Sequence, residues 1–152
     1  MFKKLVFLLI ICTLGQTVFA KTIPVQIKPA EKISTAGAKV QEGDVVDFVI
    51  LNDVYQGSKL YIKNGEKVSG TITSLKSNNF LYEPAEIYIE NFSTKDATEK
   101  PVKLDGVIYK KGTDFGMITQ FIPFPCFALK GGQAKLRPNK DVFTLYLESK
   151  ND

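Results

Sequence analysis

Carboxylates are the first side chains to consider for chemistry in this chain, because its 152 residues include no histidine. The chain therefore lacks the usual general base, the usual zinc ligand and any Ser-His or Cys-His nucleophile pair. Glu83, Glu86 and Glu90 could in principle act as paired catalytic carboxylates. However, Glu86 and Glu90 fall on one face of a predicted strand, two pleats apart, which is typical of a solvated edge.

Three further motifs have residue types suited to metal or phosphate binding but the wrong spacing. Asp44, Asp47 and Asp53 do not match a calcium loop, and Asp47 lies inside an apolar strand. Residues 114–116 (Asp-Phe-Gly) copy the metal-binding triplet of protein kinases, but no other kinase motif accompanies them. Residues 130–132 (Lys-Gly-Gly) lack the spacing of a phosphate-binding loop. We therefore expect no catalytic residue, no metal site and no cofactor.

The first twenty residues have the pattern of a secretory signal peptide. Two lysines form a short basic start, residues 5–14 are almost wholly apolar, and residues 18–20 (Val-Phe-Ala) suit signal peptidase. The apolar stretch has about half the length that a bilayer-spanning helix needs. We predict that residues 1–20 are a signal peptide, that cleavage follows Ala20, and that the protein is exported to the periplasm or beyond the cell.

The two cysteines predict no internal disulfide. Cys12 lies in the signal segment, where the preceding Ile11 disfavours lipidation of that cysteine. Cys126 is then the single cysteine of the exported protein, and its neighbours are apolar. We interpret it as a buried, inert thiol, with an intermolecular disulfide as the alternative.

Residues 21–152 are long enough for a single domain with one core. Two of the 20 basic residues lie in the signal segment, which leaves 18 against 16 acidic residues, a net charge of +2. Arg137 is the only arginine, and the lysines alternate with acidic residues along the chain. This pattern predicts a solvated surface and no nucleic-acid partner.

The elements that must position any site are strands throughout. Alternating or apolar β-rich runs occupy residues 22–27, 45–51, 59–62, 68–75, 85–92, 100–109, 133–136 and 142–147. Residues 45–51 are expected to be covered on both faces. In 85–92, Ile87 and Ile89 are placed on one face and Tyr88 and Phe92 on the other. The prediction is an all-β fold, a small antiparallel β-barrel or β-sandwich built from hairpins.

A related turn pattern recurs at Gly65, Gly112 and Asn139. Each of these residues stands within a polar stretch, and an apolar residue lies three positions before it and three after it. Glycine and asparagine tolerate the positive φ that tight hairpin turns need. We predict three β-hairpins with these residues at their turns.

An uncharged, phenylalanine-rich segment lies between Asp114 and Lys130. Its candidate docking residues are Phe115, Phe121, Pro123, Phe124, Pro125, Cys126 and Phe127. One interpretation is a loop folded over the open end of the β core. The other is an exposed apolar loop that docks on a partner or enters a lipid interface, where Lys110, Lys111 and Lys130 would suit an anionic membrane.

Several stretches resemble a loose set of exported bacterial β-domain proteins of unknown function. They are residues 39–47 (Lys-Val-Gln-Glu-Gly-Asp-Val-Val-Asp), 60–72 (from Leu-Tyr-Ile-Lys-Asn-Gly), 85–92, 103–106 (Lys-Leu-Asp-Gly) and 130–146. Residues 60–70 are also similar, more weakly, to the VirB10/TrbI-type β-barrel domain of secretion scaffolds. The resemblance implies an envelope-located β-barrel or sandwich, with no catalytic residue to carry over.

Together these observations favour a non-enzymatic exported protein that docks on another envelope component, either an envelope protein or a membrane surface. The first alternative is a carrier of a small apolar ligand inside a β-barrel. Its cavity would be lined by Val49, Ile72, Ile87, Ile89 and Leu145. A carboxylate-based secreted hydrolase is the remote alternative.

Overall fold

A computed structural model describes residues 22–36, 40–78, 83–113 and 131–148. The predicted signal peptide lies outside these ranges. So do the candidate docking residues, which all fall between 114 and 130. Eleven strands form within them: β1 Thr22–Pro29, β2 Ile33–Ser34, β3 Val45–Ile50, β4 Val54–Gln56, β5 Lys59–Ile62, β6 Lys67–Lys76, β7 Glu86–Lys95, β8 Pro101–Leu104, β9 Ile108–Lys111, β10 Lys135–Leu136 and β11 Phe143–Glu148.

Seven of these strands make one antiparallel sheet that closes almost completely on itself. Its order is β11-β1-β3-β6-β7-β8, and β9 pairs with the first half of β7 while β8 pairs with the second half. The two ends of the sheet meet where Asp105 and Tyr146 exchange backbone hydrogen bonds of 2.7 and 2.8 Å. The all-β prediction is confirmed, and the sheet is barrel-like.

The side chains that alternate inwards fill the interior of this barrel. Val25 and Ile27 on β1 and Leu145 and Leu147 on β11 are buried, as the period-2 pattern predicts. Phe48 on β3 lies at the centre. Its ring meets those of Phe92 and Phe143 edge-on, with centroids 5.7 and 6.5 Å away.

Strand β3 is covered on one face only, so the prediction of a strand covered on both faces is wrong. Its inward residues, including Phe48, are buried, but Val45 on the outward face is 65% exposed. Asp47 and Val49 on that face are half-buried. The outward side chains of a barrel strand point away from the core that the barrel encloses, which explains the difference.

The predicted alternation in β7 is wrong at Phe92, which is buried in the core with Ile87 and Ile89. The strand contains a bulge: Thr71 pairs with Glu90 but Ser69 pairs with Ser93, so β7 has one extra residue. Asn91 takes up that residue with a φ of 56°. Asparagine is one of the few residues that adopts this left-handed conformation readily, and the bulge returns Phe92 to the inside.

Gly65 and Asn139 lie in turns, but neither turn joins a hairpin. Gly65 has the expected positive φ, 84°, yet β5 before it pairs with β4, and β6 after it pairs with β3 and β7. Asn139 lies between β10, which pairs with β2, and β11, which pairs with β1. Both turns carry the chain from one sheet to another, because each flanking strand finds its partners elsewhere.

Candidate functional site

Three glycines bring distant parts of the chain together at one end of the barrel. The Gly112 N–H donates to the Ala85 oxygen at 2.8 Å, and the Gly132 N–H donates to the Thr113 oxygen at 2.9 Å. A Cβ on Gly112 would lie 2.0 Å from the Gly132 oxygen, and one on Gly131 would lie 2.0 Å from the Glu83 oxygen. Only glycine permits backbones to approach this closely.

Gly112 therefore has a different role from the predicted one. Its φ lies outside the left-handed region, and it ends β9 against the backbone of Gly132. The apolar residue that would complete its hairpin, Phe115, lies outside the described residues. The chain leaves the described barrel after Thr113 and returns at Gly131, and the hydrogen bond between Gly132 and Thr113 holds these two points together.

Asp141 joins β9 to the turn between β10 and β11. Its Oδ1 accepts a 2.6 Å hydrogen bond from Lys110 Nζ, and its Oδ2 accepts one of the same length from the Arg137 backbone N–H. Burial alone would raise the pKa of Asp141, but the hydrogen bonds from Lys110 and Arg137 and their positive charges hold that pKa below its ordinary value of 3.8. Asp141 is therefore ionised at neutral pH.

These contacts shape an open, basic cleft of about 390 Å³. It is lined by Lys110, Lys111, Gly112, Thr113, Gly132, Gln133, Lys135, Arg137, Lys140 and Asp141. We call this group the basic cleft. It holds five of the fourteen lysine and arginine residues in the described ranges, but only one of the thirteen acidic residues whose side chains are described.

The cations of the basic cleft differ in whether an acidic side chain lies close enough to offset their positive charge. Lys110 is paired with Asp141, and Lys111 lies opposite Glu86 in the register of β7 and β9. Arg137 and Lys140 are exposed on the turn that Asp141 fixes. The site can therefore attract anions, and it has donors on several separate elements with which to hold them.

A larger cleft, of about 770 Å³, lies beside the bulge at Asn91. Its charged lining residues are Glu90, Lys103 and Asp105, so it contains both signs. Since these charges oppose one another, this cleft has less selectivity for a charged partner than the basic cleft has.

The carboxylates that the sequence singled out are engaged with nearby groups. Glu83 forms an ion pair with Lys76 at 3.3 Å, and Asp47 forms one with Lys67 at 2.8 Å. Within the described ranges, no group of three or more His, Cys, Asp or Glu side chains is placed to hold a metal ion.

Asp44 and Asp53 both accept backbone hydrogen bonds, from Gln41 and Asn64 respectively. Glu86 and Glu90 share the outward face of β7, as their spacing predicts. The predicted solvated edge is wrong, because both are half-buried and β7 pairs with β6 on one side and with β8 and β9 on the other.

Four of the five residues predicted to line a ligand cavity, Ile72, Ile87, Ile89 and Leu145, are fully buried in the hydrophobic core. The fifth, Val49, is half-buried on the outward face of β3. The four buried side chains pack in one cluster with Phe48 and Phe92, where a ligand would have to displace them.

Sequence reasoning missed Lys135, Arg137 and Lys140 as members of one site with Lys110. The signal available was weak: cations at 135, 137 and 140, followed by a single acid at 141. The link from Asp141 to Lys110 spans 31 positions, and no local pattern predicts it.

Within the described part of the chain, no helix is both long and apolar enough to span a bilayer. No protein-family model matches the chain, and no curated protein and no solved structure is significantly similar to it.

Proposed function

We propose that this protein is a non-enzymatic, exported β-barrel that docks on another component of the cell envelope. The observation that carries the proposal is the basic cleft, which concentrates positive charge on a protein whose exported net charge is only +2. A patch of one sign on a nearly neutral protein orients it towards a partner of the opposite sign.

The position of the cleft supports the same proposal. Gly112, Thr113 and Gly132, which flank the 17 residues 114–130, also line the basic cleft. Within residues 114–130, only the two end residues, Asp114 and Lys130, are charged. Four of the residues between them are phenylalanine. An apolar segment that starts and ends beside a basic cleft combines the two attractions of a docking face.

Fractionation of the native protein tests this function. We expect it to begin at Lys21, to sediment with the envelope at physiological salt, and to be released by an alkaline wash, as a peripheral protein would be. Phe121→Ala combined with Phe124→Ala should shift it towards the soluble exported fraction. Tyr55→Ala, at an aromatic that is 52% exposed on β4, is the control and should leave it in place. Recovery of the wild-type protein as a soluble exported monomer would contradict the proposal.

A further inference from the structure

We propose that the envelope component is an anionic phospholipid surface, and that Lys135, Arg137 and Lys140 of the basic cleft bind its phosphate groups together with Lys110 and Lys111. This inference rests on the proposed function and makes it more specific, since it names the partner's chemistry and the residues that recognise it.

The charge distribution is the first argument. Outside the basic cleft, the described residues include nine cations and twelve acidic side chains, so this part of the surface is slightly acidic. Five cations and one carboxylate line the cleft. That carboxylate, Asp141, pairs with Lys110, and Glu86 lies opposite Lys111 in the sheet. Among the described residues, the basic cleft therefore forms a positive face, which would meet a negative surface.

Exposure is the second argument, because it distinguishes a site that contacts a membrane surface from a pocket that encloses a small soluble anion. A site for a small ligand surrounds it and buries most of its surface. Here Lys111, Arg137 and Lys140 are exposed around an open cleft. Such cations can reach several phosphates spread over a plane, and each strengthens binding about fivefold when it lies near an anionic membrane.

The rigidity of the turn is the third argument. The Arg137 oxygen accepts hydrogen bonds from the backbone N–H groups of Lys140 and Asp141, at 3.1 and 3.0 Å, and the Asp141 carboxylate accepts one from the Arg137 N–H. Because the backbone is already fixed, only the side chains lose freedom on binding. The one arginine of the chain lies on this turn, and a guanidinium group can bind two phosphate oxygens at once.

The chain outside the described ranges supplies the fourth argument. The 17 residues 114–130 leave and rejoin the barrel at residues that line the cleft, and no charged residue interrupts them between their two ends. A lipid interface can take up both the cations of the cleft and an apolar segment attached beside them, since its headgroups are anionic and its acyl boundary is apolar. An anionic partner without an apolar layer would match only the cations.

Sedimentation with lipid vesicles tests the inference on the purified protein that an alkaline wash releases from the envelope. We expect it to bind vesicles that contain phosphatidylglycerol and not vesicles of phosphatidylcholine alone. Arg137→Gln combined with Lys140→Gln should weaken binding about tenfold or more. Raising the salt from about 0.1 M to about 1 M shortens the Debye length from about 10 Å to about 3 Å and should weaken it as well.

A matched double variant controls for net charge. Lys59→Gln combined with Lys63→Gln also removes two exposed positive charges, but neither residue lines the basic cleft. It should bind anionic vesicles as the wild type does. Equal losses in the two double variants would show that net charge alone drives binding, and they would overturn the assignment of the cleft. Equal binding to neutral and anionic vesicles would overturn it too.

Inorganic phosphate distinguishes a soluble anion from a membrane. Saturable phosphate binding that Arg137→Gln with Lys140→Gln abolishes, without binding to anionic vesicles, would assign the cleft to a small phosphate compound and overturn the inference. If the protein sediments with the native envelope yet binds no lipid vesicle, the partner is an envelope protein: the inference fails and the proposed docking function stands. A soluble protein that binds neither contradicts both.

Discussion

Asp141 shows how one residue can organise the basic cleft. It is mostly buried, with 14% of its side chain exposed, and it holds both Lys110 and the turn of Arg137. We expect Asp141→Asn to lower the free energy of unfolding by about 1–2 kcal/mol at pH 7, because the amide cannot pair with the Lys110 ammonium.

The dependence on pH follows from the lowered pKa of Asp141. A carboxylate with a lower pKa in the folded state stabilises the fold above its unfolded pKa, close to 3.8, and loses that effect as the pH falls through the folded value. Urea unfolding should therefore separate wild type from Asp141→Asn at pH 7, and the difference should shrink as the pH falls below about 3.8. Asp105→Asn, at an exposed aspartate, is the control. A gap that persists unchanged at low pH would contradict the role of the charge.

At the scale of elements, the junction of the three glycines lies between the end of β9 and the start of β10. A Cβ on Gly132 would lie 2.4 Å from the Thr113 nitrogen, which is backbone and has little room to move. We expect Gly132→Ala to cost about 3 kcal/mol of unfolding free energy, measured by urea denaturation. Gln133→Ala, at the exposed next residue, should change it by less than about 0.5 kcal/mol. Equal effects would show that the close approach carries no energetic weight.

Strand periodicity is the part of the element structure that could be predicted from sequence. The buried residues of β1 and β11 follow the alternation with period 2 that the pleat alone sets. Phe92 was misplaced, because a bulge reverses the alternation after Asn91 and depends on the register with β6. The turn at Gly65 was located, but which strands it joins was not, since pairing is decided by contacts distant in sequence.

For the whole molecule, the single barrel core is the main source of stability. Phe48 is fully buried at its centre, between the rings of Phe92 on β7 and Phe143 on β11. We expect Phe48→Ala to lower the free energy of unfolding by about 3–5 kcal/mol, since it removes a large side chain and leaves a cavity. Val45→Ala, on the exposed outward face of the same strand, should cost less than about 1 kcal/mol. Thermal and urea unfolding of both variants would check this, and similar losses would contradict the barrel's single-sided packing.

The sequence by itself determined the strand-rich composition, the inward faces of β1 and β11 and the absence of histidine chemistry, and it predicts export. These are local properties: they depend on residue types and on spacings of a few positions. Only the tertiary structure decided that the sheet closes through Asp105 and Tyr146, and that Lys110 meets Asp141 beside Arg137 and Lys140. Those contacts join residues tens of positions apart. They form only when the strands pair and the sheet closes, and no short-range sequence pattern encodes that pairing.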